Sequence, residues 1–134
     1  MKKFIRIFWF VLFLFAMVMF YVVPISVPDY VDKFYHFIGF AIFAILSIAL
    51  FAVFFDNKWL NTFLVFLLIF GGVIAGVAEL AQKHFSEIRS CDYGDWIANL
   101  YGIVFITLFV YLANSRQKLS IELFEEEFKI ESFS

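Results

Sequence analysis

The sequence holds one cysteine and two prolines, and charged residues make up only 16% of its 134 positions. One cysteine excludes a disulfide framework, and equally a thiolate metal site built within one chain. It also disfavours redox work. Nothing resembles a nucleotide-binding loop, and there is no internal repeat or low-complexity linker. The net charge of −2 and a pI near 5.6 exclude a nucleic-acid binder driven by a basic surface. Soluble domains are about 25% charged and about 45–50% apolar; this chain is 16% charged and 64% hydrophobic.

What is present is phenylalanine, at 22 positions, with a mean hydropathy of +0.93. A chain this short has too much surface for its volume to enclose so many large apolar side chains. The expected solvent, and the first expected partner, is therefore a lipid bilayer.

A membrane-spanning helix needs about 20 predominantly apolar residues. Four stretches qualify, running approximately from Ile7 to Val23, Phe37 to Phe55, Leu60 to Ala78 and Trp96 to Ala113. Lys2, Lys3 and Arg6 precede the first, Pro24 and Pro28 follow it, and Asp56 and Lys58 divide the second from the third. Backbone groups in lipid must be satisfied within the segment, so helices are expected. The first run is too long for a signal peptide and lacks a following pair of small residues, so it reads as a retained anchor. The fold class predicted is all-α: a polytopic membrane protein with a bundle of four transmembrane helices over 1–113. A cytoplasmic, acidic polar tail over 114–134 follows, with no secondary structure assigned to it because its apolar positions fit neither period.

Lys2, Lys3, Arg6, Lys58, Arg116 and Lys118 collect on one side of such a bundle, and Lys33, Lys83 and Arg89 on the other. This asymmetry predicts that both termini are cytoplasmic. Trp9 and Trp59 then mark the inner interface, and Trp96 with Tyr30 the outer one.

Polar residues cluster in two places. Asp32, Lys33 and His36 stand at the entry to the second span, and the second cluster runs from Glu79 to Asn99, across the polar interruption from Glu79 to Asp95 that separates the third span from the fourth. With four spans, parity puts both clusters at the same end of the bundle, whichever way the protein points. Asp32 and His36 share a helix face at i,i+4, as do Asp95 and Asn99, while Glu79 and Gln82 pair at i,i+3. Gly72 and Gly76 share a stripe with Glu79, and Ala98 and Gly102 share one with Asp95, so close packing of the third and fourth spans is expected. Ionisable groups at membrane depth usually face a bundle interior and carry function. Plainer roles compete with these: Asp95 as a helix N-cap, Arg89 as a structural ion-pair partner of Asp92 and Asp95, His84 as a loop residue.

The candidate catalytic groups are His36, Glu79 and Asp95. The candidate ligand-binding groups are Asp32, Lys33, Gln82, Arg89, Asp92 and Asn99. Arg89 and Lys33 suit a phosphate or carboxylate. His36 could move a proton, with Asp32 or Asp95 fixing its tautomer, and Glu79, desolvated between helices, could act as acid or base. His36, Glu79, Asp92 and Asp95 are competent metal ligands, but no recognised metal-ligand motif accompanies them. No metal and no cofactor is expected.

The order D-K-x-x-H at Asp32, Lys33 and His36, E-x-x-Q at Glu79 and Gln82, then R-x-x-D-x-x-D-x-x-x-N-x-x-G at Arg89, Asp92, Asp95, Asn99 and Gly102 resembles the VanZ-like family of bacterial integral membrane proteins. The resemblance covers positions 31–111. Two departures stand out: Ser86, Glu87 and Ile88 where family members often carry a Pro-Gly-like turn, and Phe105 with Ile106 where a further Gly is common. The resemblance implies the bacterial inner membrane and a part in tolerance of teicoplanin-type glycopeptide antibiotics, a phenotype rather than a reaction. Two readings of function follow. One is an extracytoplasmic polar site that binds or modifies a cell-envelope or lipid-linked ligand. The other is a non-catalytic membrane module that binds a partner or closes the bundle. Whether the protein is an enzyme, and its oligomeric state, stay open at this point.

Overall fold

The computed structural model describes residues 2–22, 27–85 and 92–132. Four helices follow in order: α1 (Lys2–Val22), α2 (Asp29–Phe54), α3 (Leu60–Phe85) and α4 (Tyr93–Ser132), with a short 3-10 turn at Asn57–Trp59 between α2 and α3. Three of them, α2, α3 and α4, are long and apolar enough to cross a membrane.

Helix ends follow the local chemistry. The carbonyl of Pro28 accepts from the backbone N–H groups of Val31 and Asp32, and Asp29 and Asp32 occupy the first turn of α2, where the helix dipole favours negative charge. Lys83 and His84 sit in the last turn of α3, where it favours positive charge. His84 is thus helical rather than a loop residue. The helices also reach beyond the apolar runs. So α2 begins at Asp29, α3 continues through Glu79 to Phe85, and α4 starts at Tyr93, and within these extensions Glu79 and Asp95 are buried.

The expected packing of α3 on α4 is present. Gly72 and Gly76 face Leu100 and Trp96 of α4, and the Trp96 indole donates to the Gly72 carbonyl at 3.2 Å. Trp96 is half-buried, with its indole held against α3 by that bond. The α4 stripe has a different partner from the expected one. At Gly102 a Cβ would collide with the Phe37 carbonyl oxygen and lie 2.9 Å from the Ala41 nitrogen, so this glycine seats α4 on α2, its main neighbour in the bundle. Only a residue without a side chain lets two backbones approach that closely.

The interior is unlike that of a soluble domain. Phe40, Phe43, Ala44, Leu67, Ala75 and Ile103 form the apolar core, but His36, Glu79, Asp95, Asn99 and Thr107 are buried beside it. Phe66, Phe70, Phe105 and Phe109 point outward. An apolar exterior around a partly polar interior is the arrangement suited to lipid, where burial of apolar area gives helices little reason to associate. The hydroxyls of Ser47 and Thr107 bond carbonyls of their own helices, at 2.7 Å to Phe43 and 2.8 Å to Ile103, which satisfies them without help from water.

The amide of Asn114 donates to Asn61 at 3.2 Å, which sets the middle of α4 level with the start of α3. Positions 115–132 then carry the same helix onward. The region expected to be an unassigned tail is helical through Ser132.

Candidate functional site

Three helices bring the two polar clusters together at one end of the bundle: α2 with Asp32, Lys33 and His36, α3 with Glu79, and α4 with Asp95 and Asn99. At the centre is the His36 ring, 2% exposed. Its Nδ1 lies 3.0 Å from Asn99 Oδ1 and 3.3 Å from Glu79 Oε1. The Asn99 amide in turn donates to Glu79 Oε1 at 2.8 Å. That direction fixes the rest. The Asn99 carbonyl must accept, so His36 Nδ1 carries a proton and donates it; a flipped amide would set its oxygen against the carboxylate of Glu79. Asn99 and Glu79 thus engage the Nδ1 side of the ring, and Asp32 and Asp95, the partners expected from sequence, face its other side. Spacing reveals which residues share a helix face, but not which helix face lies opposite.

The other ring nitrogen, Nε2, faces Asp32 Oδ2 and Asp95 Oδ2, each at 3.9 Å. Further out, Lys33 binds Asp29 at 2.5 Å and Asp92 at 2.8 Å, and stands 3.5 Å from Asp95 Oδ1. Asp92 also accepts from the Gly94 N–H at 2.9 Å, and its own carbonyl receives the first backbone bonds of α4 from Asp95 and Trp96. Asp92 is thus the N-cap of α4. Asp95, expected in that role, has its side chain turned inward instead. The hydrogen bond from Lys33, helped by that from Gly94, holds the Asp92 carboxyl below its ordinary value of 3.8.

Polarity is graded. His36, Glu79, Asp95 and Asn99 are closed to solvent, whereas the side chains of Asp32, Lys33 and Asp92 are 21%, 32% and 43% exposed. Away from the cluster, a groove of about 280 Å³ among the phenyl rings of α1, α2 and α3 is lined by Phe10, Phe51, Phe63 and Phe66. The inner groups are paired with one another, and the face open to a ligand is the outer one, at Lys33, Asp32 and Asp92.

Of the residues picked from sequence, His36, Glu79, Asp95, Asn99, Asp32, Lys33 and Asp92 converge. Arg89 and the side chain of Gln82 lie outside the described residues. Glu79 and Asp92, both considered as metal ligands, are engaged elsewhere, with Asn99 and with Lys33. Two contributors were missed: Asp29, readable as an i,i+4 partner of Lys33, and Trp96, whose indole bond to Gly72 has no local signal. Among the described residues, Asp32, His36 and Asp95 form a group whose potential metal-ligating atoms all lie within 4.8 Å of one another.

Set against known proteins, the chain matches no family model, no curated protein and no solved structure.

Proposed function

We propose that this protein is a VanZ-like multi-pass protein of the bacterial inner membrane, with α1 as a fourth span, both termini cytoplasmic and the polar cluster on the extracytoplasmic face. There it binds or modifies a cell-envelope or lipid-linked ligand, with a part in tolerance of teicoplanin-type antibiotics. The observation that carries this reading is the convergence of His36, Glu79, Asn99 and Asp95 from three helices. Removing such groups from water costs several kcal/mol per ion, and a bundle in lipid would be expected to keep that arrangement for a use. Lys33, half-exposed and ringed by aspartates, supplies a cationic contact for a phosphate or carboxylate headgroup, with Arg89 as its expected companion.

A second reading has its own support. The inner groups are paired and closed to solvent, as a network that merely locks the bundle would be. Substitution separates the two. In a cell-based tolerance assay, a functional site requires His36→Ala and Glu79→Gln to abolish the phenotype at nearly unchanged amounts of folded protein. A locking network predicts loss of folded protein in both. Survival of the phenotype in well-folded variants rejects the functional role of these residues.

A further inference from the structure

Helices α2 and α3 each pack chiefly on α4 and touch one another far less. Toward the end of the bundle away from the polar cluster, the seam between them is walled by phenyl rings. Phe55 stacks on Phe51 with ring centres 4.9 Å apart, Phe51 on Phe63 of α3 at 4.3 Å, and Phe66 on Phe70 at 4.0 Å. Phe63 and Phe66, 6.4 Å apart, join the two stacks into one wall. Stacked rings are already ordered, so an apolar guest laid against them costs little further freedom.

The groove of about 280 Å³ runs along this wall, with Phe10 of α1 among its lining residues. A second hollow of about 360 Å³ has Trp59 and Thr62 in its lining and shares Phe51, Phe55, Phe63 and Phe66 with the first. The two are therefore continuous and open at the turn between α2 and α3. From Thr62 to Gly71, which also lines the groove, α3 rises about 14 Å. One leaflet of a bilayer is about 15 Å of hydrocarbon deep, so the groove has the length of a single acyl chain.

Charge at the open end is basic. Phe13 packs against the core, so α1 leads outward from the core past Phe10 to Arg6 and then Lys3. These three positions, Lys3, Arg6 and Phe10, follow i, i+3, i+7 and share one helix stripe. Lys58 stands next to Trp59, and its only acidic neighbour among the described residues is Asp56 at 3.5 Å, in an exposed pair of the kind that holds its partners weakly.

We propose that the groove binds one anionic glycerophospholipid, with an acyl chain laid along the phenyl wall and the headgroup phosphate between Arg6 and Lys58. An apolar slot under a basic rim is complementary to such a lipid and less so to a zwitterionic one. The groove lies toward the opposite end of α2 from Asp32 and His36. The inference is thus separate from the envelope-ligand reading, and either can fail alone.

The test uses the full chain, delipidated in detergent and titrated with dioleoyl phosphatidylglycerol or dioleoyl phosphatidylcholine, with bound lipid counted by native mass spectrometry. One phosphatidylglycerol per chain should bind at least about ten-fold more tightly than phosphatidylcholine. Arg6→Gln combined with Lys58→Gln should bring phosphatidylglycerol down to the level of phosphatidylcholine; both side chains are exposed, so folding is spared. Lys118→Gln, on α4, should change nothing. Leu50→Trp, which fills the groove, should remove both lipids from monodisperse protein; if that variant does not fold, the charge variants decide alone. Equal binding of the two lipids, equal losses in Lys118→Gln and the double variant, or a dimer that carries no lipid overturns the proposal.

Discussion

His36 and Asn99 are joined by a hydrogen bond of 3.0 Å across the contact between α2 and α4, and Asn99 passes the connection to Glu79 on α3. One amide therefore ties three helices together at a depth where water offers no substitute.

Asn99→Leu keeps the approximate volume and removes both bonds. Each lost connection should cost about 1–3 kcal/mol, seen as a lowered thermal midpoint of the detergent-purified protein. Thr107→Val is the control, since among the described residues the Thr107 hydroxyl bonds only carbonyls of its own helix and its replacement should shift the midpoint far less. Equal midpoints for both variants would show that the chain through Asn99 holds nothing together.

Gly102→Ala should destabilise the bundle by about 1–3 kcal/mol or more, because an added methyl must push the backbones of α2 and α4 apart. Gly39→Ala, where nothing lies within 4 Å of the new Cβ, should be neutral or slightly stabilising by helix propensity. Expression level and thermal midpoint of the pair, measured side by side, check this. A tolerated Gly102→Ala would contradict the close approach of the two helices.

Acid should loosen the polar end of the bundle through Asp92. Its carboxyl is held below the ordinary value of 3.8 in the folded protein, chiefly by Lys33 and then by the Gly94 N–H. A lowered folded value means that the ionised form stabilises the fold. That contribution is complete above the ordinary carboxylate range and is lost as the pH falls through the lowered value. Asp92→Asn should remove this part of the pH dependence, giving a flatter stability profile below about pH 4. Superimposable acid profiles for wild type and variant would show that the Lys33 pairing adds nothing to stability.

The proposed orientation can be read directly. A reporter active only outside the cytoplasm, fused after Ser134, should give no signal, because basic residues gather at the helix ends near Lys3, Lys58 and Arg116. A strong signal there would invert the orientation, yet would leave the two polar clusters at a common end.

Helix number and the meeting of the clusters were legible because both follow from one-dimensional facts. Apolar run length sets what can cross a bilayer, and parity sets which ends coincide. Pairings were not legible. The periodicity of α4 shows that Asp95, Asn99 and Gly102 share a stripe, but only three dimensions show that Gly102 meets α2 while Gly72 and Gly76 of α3 meet Leu100 and Trp96. The N-cap was misassigned to Asp95 because hydropathy places the helix start at the first apolar residue. The Asp92 carboxylate on the Gly94 N–H places it a turn earlier. The segment past Ala113 shows neither period of apolar residues, and its helix is a continuation of α4.

That continuation makes α4 a lever. As one helix of 40 residues it is about 60 Å long, with its tightest contact, at Gly102, in the first quarter of its length. A tilt of about 5° about that point would move Asp95 by about 1 Å and the far end by about 4 Å. Small displacements at the polar end are therefore magnified on the opposite side of the bundle, and forces applied to the far end arrive at Asp95 and Asn99 with mechanical advantage.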